Sequence, residues 1–103
     1  MIRAVIASTT VAESDHTVIV EGNHYFPPDT IRTELFAETR SHSLCPWKGI
    51  ASYYTLTVPE AELANAAWTY RHPTPLARRI KNHVAFGPGV RIETDHTADR
   101  RER

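Results

Sequence analysis

The chain has 103 residues, and its twelve basic side chains balance twelve acidic ones for a formal net charge of zero. A chain of about 100 residues makes one domain and buries about two thirds of its unfolded surface, enough for a single core. With no net field to steer it, the domain is expected to take neither nucleic acid nor membrane as a partner. Its only cysteine, Cys45, excludes an intramolecular disulfide and a cysteine cluster for zinc or an iron–sulfur centre.

A lone thiol fits a reducing compartment. The N-terminal run Met-Ile-Arg-Ala-Val-Ile-Ala is apolar for too few residues to be a signal peptide or a membrane span, so a soluble, cytoplasmic protein is expected. Residues 11–13 and 17–20 are β-prone and joined through Ser14-Asp15-His16, which predicts a hairpin. Glu21-Gly22-Asn23 is a turn signal, and Pro27-Pro28 forbids helix at the preceding residues. Asp29-Thr30 can open a single helical turn, after which Ile31, Thr33 and Leu35 alternate with polar neighbours as in a half-buried strand.

Residues 39–44 are polar and read as a loop or an edge, and Cys45-Pro46-Trp47-Lys48-Gly49 is a turn. Residues 50–58 form the strongest predicted strand, rich in tyrosine and threonine. Residues 60–67 have helical composition over only about two turns, which predicts a weak helix or a loop. Residues 67–70 form a short strand, and Thr74 caps a helix that begins at Pro75, with Leu76, Ala77 and Ile80 on its apolar stripe. Gly87-Pro88-Gly89 joins residues 84–86 and 90–93 in a last hairpin. Residues 1–94 are thus expected to form one β-rich domain, and residues 95–103, charged and nearly free of apolar side chains, are expected to be a disordered tail. Many short, punctuated strands favour an antiparallel sandwich or barrel with one short helix.

The segments Glu21-Gly22-Asn23-His24-Tyr25-Phe26-Pro27, Cys45-Pro46-Trp47-Lys48-Gly49, Ala51-Ser52-Tyr53-Tyr54 and Ala67-Trp68-Thr69-Tyr70 together resemble the DUF427 family, labelled a nucleotidyltransferase-like domain. The resemblance runs from about residue 11 to residue 93. It implies a β-tent, a mainly β fold in which two small antiparallel sheets lean together, and its label implies nucleotide chemistry. The chain itself carries no Gly-x-x-x-x-Gly-Lys loop, no Gly-x-Gly-x-x-Gly and no acidic pair of the kind that holds magnesium.

Candidate site residues concentrate in these segments. Glu21 and Asn23 flank Gly22 at a strand end, where a ligand can approach the backbone; the plainer reading is a solvated turn. Cys45 near Lys48 invites a thiolate nucleophile, but with no second cysteine an inert half-buried thiol is the expected state. Trp47 and Lys48 offer an indole face beside a cation for an anionic or planar ligand, against a core plug and a solvated lysine. Tyr53 and Tyr54 point to opposite faces of their strand, so one is expected in the core. Trp68 and Tyr70 share a face, as packing partners or a stacking platform. The six histidines are scattered, with His24 the one placed to test for proton transfer, so neither metal nor cofactor is expected.

The leading expectation is a small-molecule-binding domain whose pocket is framed by Glu21, Asn23, Trp47, Lys48, Tyr53 and Trp68, with Cys45 and Tyr54 beside it. The alternatives are an enzyme using Cys45 or a Glu21–Lys48 pair, and a structural or interaction module that forms a homodimer through an edge strand. As a surface cation, or as a clamp awaiting its ligand, Lys48 is expected to be expendable to the stability of the empty fold.

Overall fold

The computed structural model describes residues 1–94, whose nine strands are β1 (Ile2–Ile6), β2 (Thr9–Ser14), β3 (Val18–Val20), β4 (Asn23–Tyr25), β5 (Phe36–Cys45), β6 (Gly49–Val58), β7 (Ala61–Tyr70), β8 (Val84–Phe86) and β9 (Arg91–Thr94). The branched apolar residues at the N-terminus make β1 the centre of a three-stranded antiparallel sheet, ordered β2-β1-β9. A second sheet is the β3–β4 hairpin, and the third is four-stranded in the order β5-β6-β7-β8. All pairings between these strands are antiparallel. The fold is therefore mainly β, with three sheets in place of the two expected.

Strand alternation divides one sheet between two cores. Tyr54, Leu56 and Val58 of β6, with Ala67 of β7 and Val84 and Phe86 of β8, face the three-stranded sheet and pack on Ala4, Ile6, Val11 and Ala12. Ala51 and Tyr53, with Trp68, Tyr70 and Ala85, face the other way and pack on Val20, Tyr25, Ala77 and Ile80. Phe26 ties the small hairpin to β8 through two backbone hydrogen bonds with Val84, at 2.8 and 2.9 Å. Ser8 and Thr9 donate to the Glu60 carboxylate at 2.6 and 3.0 Å, pinning the β1–β2 turn to the β6–β7 turn.

Several local expectations change once pairing partners are known. Residues 61–67 are strand, not helix, because pairing with β6, joined by β8 only from Ala67 onward, overrides the helical propensity of an alanine-rich segment. Residues 11–13 and 17–20 do not pair with each other: β2 pairs with β1, and β3 with β4. The last expected hairpin is likewise split, β8 pairing with β7 and β9 with β1. Residues 33–35 form a 3-10 turn before β5 where a strand was expected, and Pro28–Thr30 forms another. The expected helix at Pro75 is a kinked 3-10 segment, Pro75–Ile80, with Ala77 and Ile80 buried. Thr74 does not cap it with its side chain. The expected tail, residues 95–103, lies outside the described residues.

Candidate functional site

The site grows from two turns. Between Val20 and its partner Asn23 there is room for only two residues, and both Glu21 and Gly22 adopt positive φ, 55° and 81°. A two-residue turn of this kind follows the right-handed strand twist, and it favours Asn-Gly or Gly-Gly. Gly22 meets that demand at no steric cost. A glutamate in the left-handed region is strained by about 1–2 kcal/mol, so a side-chain interaction must fix it there.

That interaction comes from the second turn. Cys45-Pro46-Trp47-Lys48-Gly49 links β5 to β6, closed by the Lys48 N–H donating to the Cys45 carbonyl at 3.2 Å. Gly49 sits at φ 116°, and a Cβ there would lie 3.2 Å from the His72 carbonyl oxygen and 3.4 Å from Pro73 Cα. Its bare backbone lets the segment after β7 lie against the turn. The Thr74 hydroxyl donates to the Trp47 carbonyl, and the Thr74 N–H to that of Lys48 at 3.0 Å.

So held, the turn delivers two donors to one carboxylate. Trp47 Nε1 donates to Glu21 Oε2 at 3.0 Å, and Lys48 Nζ pairs with Glu21 Oε1. The Lys48 side chain is 7% exposed and that of Glu21 51% exposed, so a half-exposed carboxylate covers a buried ammonium. The ammonium also lies 5.3 Å from the Trp47 ring centre and 5.7 Å from that of Tyr70, within the range of cation–π attraction. Lys48 is thus a buried, paired ammonium and not the solvated surface cation of the plainer reading.

An aromatic wall continues behind the pair. Tyr25 packs against Tyr70 with ring centres 6.5 Å apart, Trp68 Nε1 donates to the Tyr25 hydroxyl at 3.2 Å, and Tyr53 lies 6.2 Å from Trp68. The Lys48 hydrogen bond, and then that of Trp47, hold the Glu21 carboxyl below its usual range. For Lys48 burial is the largest single effect and opposes the charge, but the Glu21 hydrogen bond and the electrostatic pull of Tyr25, Tyr70 and Cys45 together exceed it. The ammonium is therefore held above its ordinary value. Burial pushes the Tyr70 phenol up to about 12, against the pull of Lys48.

Of the expected site residues, Glu21, Trp47 and Lys48 converge directly, and Tyr53 and Trp68 line the wall behind them. Cys45 is half-buried and packs at the edge of the same cluster. Asn23 stands at the start of β4, half-buried, beside the turn. Tyr54 is on the other face of β6, against Phe36 at 5.6 Å, with its hydroxyl accepting from Arg71 at 3.1 Å. Both tyrosines are thus partly buried, each on its own core, where one alone was expected inside. His24 is engaged with the Thr17 hydroxyl at 2.7 Å, and no bond joins it to Glu21. Tyr25 and Thr74 were not singled out as site residues, and Tyr70 entered only through the face it shares with Trp68, as packing or a stacking platform, with no link to Lys48.

Among the clefts on the surface of the described residues are these two. One, of 370 Å³, is lined by Thr10, Ala12, Glu13, Asp29, Thr30 and Arg32. The other, of 470 Å³, is lined by His42, Gly49, Ile50, Ser52, Arg71 and His72. Neither includes the Glu21–Lys48 pair in its lining. Among the described residues no group of three or more His, Cys, Asp and Glu could hold a metal ion, and no helix is long and apolar enough to cross a membrane.

A family model described as a domain of unknown function, DUF427, and labelled NTP_transf_9 matches residues 1–99. No curated protein matches the chain.

Proposed function

The chain belongs to the DUF427 family, and on that premise we propose that it is a small-molecule-binding domain whose anchor is the Lys48 ammonium. The observation that carries this reading is the covering of that ammonium: a glutamate held at positive φ, half exposed, on a turn whose local preference is asparagine or glycine. Local strain at such a position calls for a compensating role. Glu21 acts as the resident anion, and a ligand carboxylate or phosphate takes its place on Lys48 while Glu21 turns to solvent. Trp47, Trp68 and Tyr53 supply ring faces for the rest of the ligand, and Asn23 supplies an amide at the rim.

The electrostatics favour binding over proton transfer. An acid held low and a base held high are both committed to their charged forms near neutral pH, whereas a general acid or base works best with its pKa near the operating pH. Thiol chemistry at Cys45 has no second cysteine to resolve an oxidised form.

The experiment is a thermal-shift screen of carboxylate and phosphate metabolites against the wild type, Lys48→Met and Glu21→Gln. A ligand that binds only the folded state raises the melting temperature. Hits are expected in the wild type, lost in Lys48→Met, and retained or strengthened in Glu21→Gln, where the competing anion is gone. Hits that persist in Lys48→Met would refute the anchor.

A further inference from the structure

We propose that the cleft lined by His42, Ser52, Arg71 and His72 is a second binding site, separate from the Lys48 pair, that takes a small phosphate-type oxyanion such as a phosphate monoester. Its 470 Å³ falls within the range of small-molecule sites. Side-chain alternation puts Ser52 on the face of β6 away from Tyr53, so the cleft opens on the side opposite the aromatic wall behind Lys48.

Each lining group suits an oxyanion. Ser52 is 7% exposed as a residue, and its hydroxyl, which makes no hydrogen bond with any described residue, reaches the cleft and is free to donate to a ligand. Arg71 spends Nη1 on Glu38 at 2.8 Å and Nη2 on the Tyr54 hydroxyl at 3.1 Å, which leaves three of the five guanidinium N–H groups for a ligand. These two bonds, Glu38 first, also hold the guanidinium firmly charged. His42 sets one ring nitrogen, Nδ1, 3.0 Å from the Arg40 carbonyl, which fixes Nδ1 as the donor and turns Nε2 outward. His72 makes no side-chain bond with a described residue. In the neutral form an imidazole accepts from a protonated phosphate oxygen, and in the charged form it donates to an unprotonated one.

No carboxylate lines the cleft. Ile50, 57% exposed, gives the organic part of an ester an apolar surface. Glu38 is the group that opposes an anion here: it lies outside the lining but occupies one edge of Arg71.

The test is a titration with inorganic phosphate and with phenyl phosphate at low salt, followed by NMR at the Ser52 amide and the His42 and His72 rings. Saturable shifts are expected there with phenyl phosphate, weakened about tenfold in His72→Ala and in Ser52→Ala, the scale of a lost hydrogen bond to a charged group. Glu38→Ala should tighten binding, since it frees an Arg71 N–H and removes a like charge. Lys48→Met should leave it unchanged, which separates this site from the Lys48 anchor. Saturation by phenyl phosphate alone assigns the site to an ester, and saturation by both compounds assigns it to the bare anion. Shifts that fail to saturate with either, affinities unaltered in His72→Ala and Ser52→Ala, or binding abolished by Lys48→Met would each overturn the proposal.

Discussion

Replacing Lys48 by alanine removes three outer methylenes from a side chain that is 7% exposed, together with the ammonium that lies near the Trp47 and Tyr70 rings. At about 0.8 kcal/mol per buried methylene the lost stem is worth ~2.4 kcal/mol. The two ring contacts add about 1 kcal/mol. Against this, the freed lysine rotamers and the relieved burial of charge return roughly 1–2 kcal/mol. Glu21 is half exposed and hydrates itself once its partner is gone, so no buried charge is stranded. The expected loss is therefore about 2 kcal/mol, or ~10 °C in melting temperature for a domain of this size. Lys48→Met keeps most of the stem and drops the charge, and should stay within about 1 kcal/mol of the wild type. Urea unfolding followed by far-UV circular dichroism measures both. If Lys48→Ala changes stability by less than about 0.5 kcal/mol, the side chain behaves as a surface group and the reasoning fails.

The Glu21 carboxyl is held below its ordinary value, so its contribution is present above about pH 4.5 and is lost as pH falls through the lower folded value; urea midpoints between pH 3 and 6 should slope less in Glu21→Gln than in the wild type. Tyr70 runs the other way: its phenol ionises at about 12 when folded and near 10.0 when unfolded, so stability should fall as pH rises from 10 towards 12, and Tyr70→Phe should remove that part of the fall in the same alkaline series. Gly49→Ala meets both a positive φ and the His72 carbonyl, and should cost about 1–3 kcal/mol by thermal melting, more than Gly22→Ala, whose added methyl meets nothing within 4 Å. Trp68→Phe removes the donor to the Tyr25 hydroxyl and leaves that group, in a residue 1% exposed, without its partner, for an expected loss of about 1–3 kcal/mol in urea unfolding.

Local chemistry determined a good part of this protein. The β-formers of β6, the turn at Glu21-Gly22 and the turn at Cys45 to Gly49 follow from residue preferences that act over a few positions, and the structure keeps all three. The motif segments also carried the family, which the match over residues 1–99 shows. Pairing was not legible. Residues 61–67 read as helix because alanine and glutamate favour it locally, and only pairing with the distant strand β6, joined by β8 from Ala67, reverses that preference. The partners of β2, β3, β8 and β9 depend on contacts between distant segments, Ile2 with Thr94 for one, which no local period records. The same limit applied at the site. Sequence named Glu21, Trp47 and Lys48, but the burial of Lys48 comes from Tyr70 and from the Thr74 clamp, which reach it only after β7 has crossed the sheet. Solvent exposure is a property of packing, and so the difference between a solvated lysine and a buried ammonium under a strained carboxylate was left to the tertiary structure.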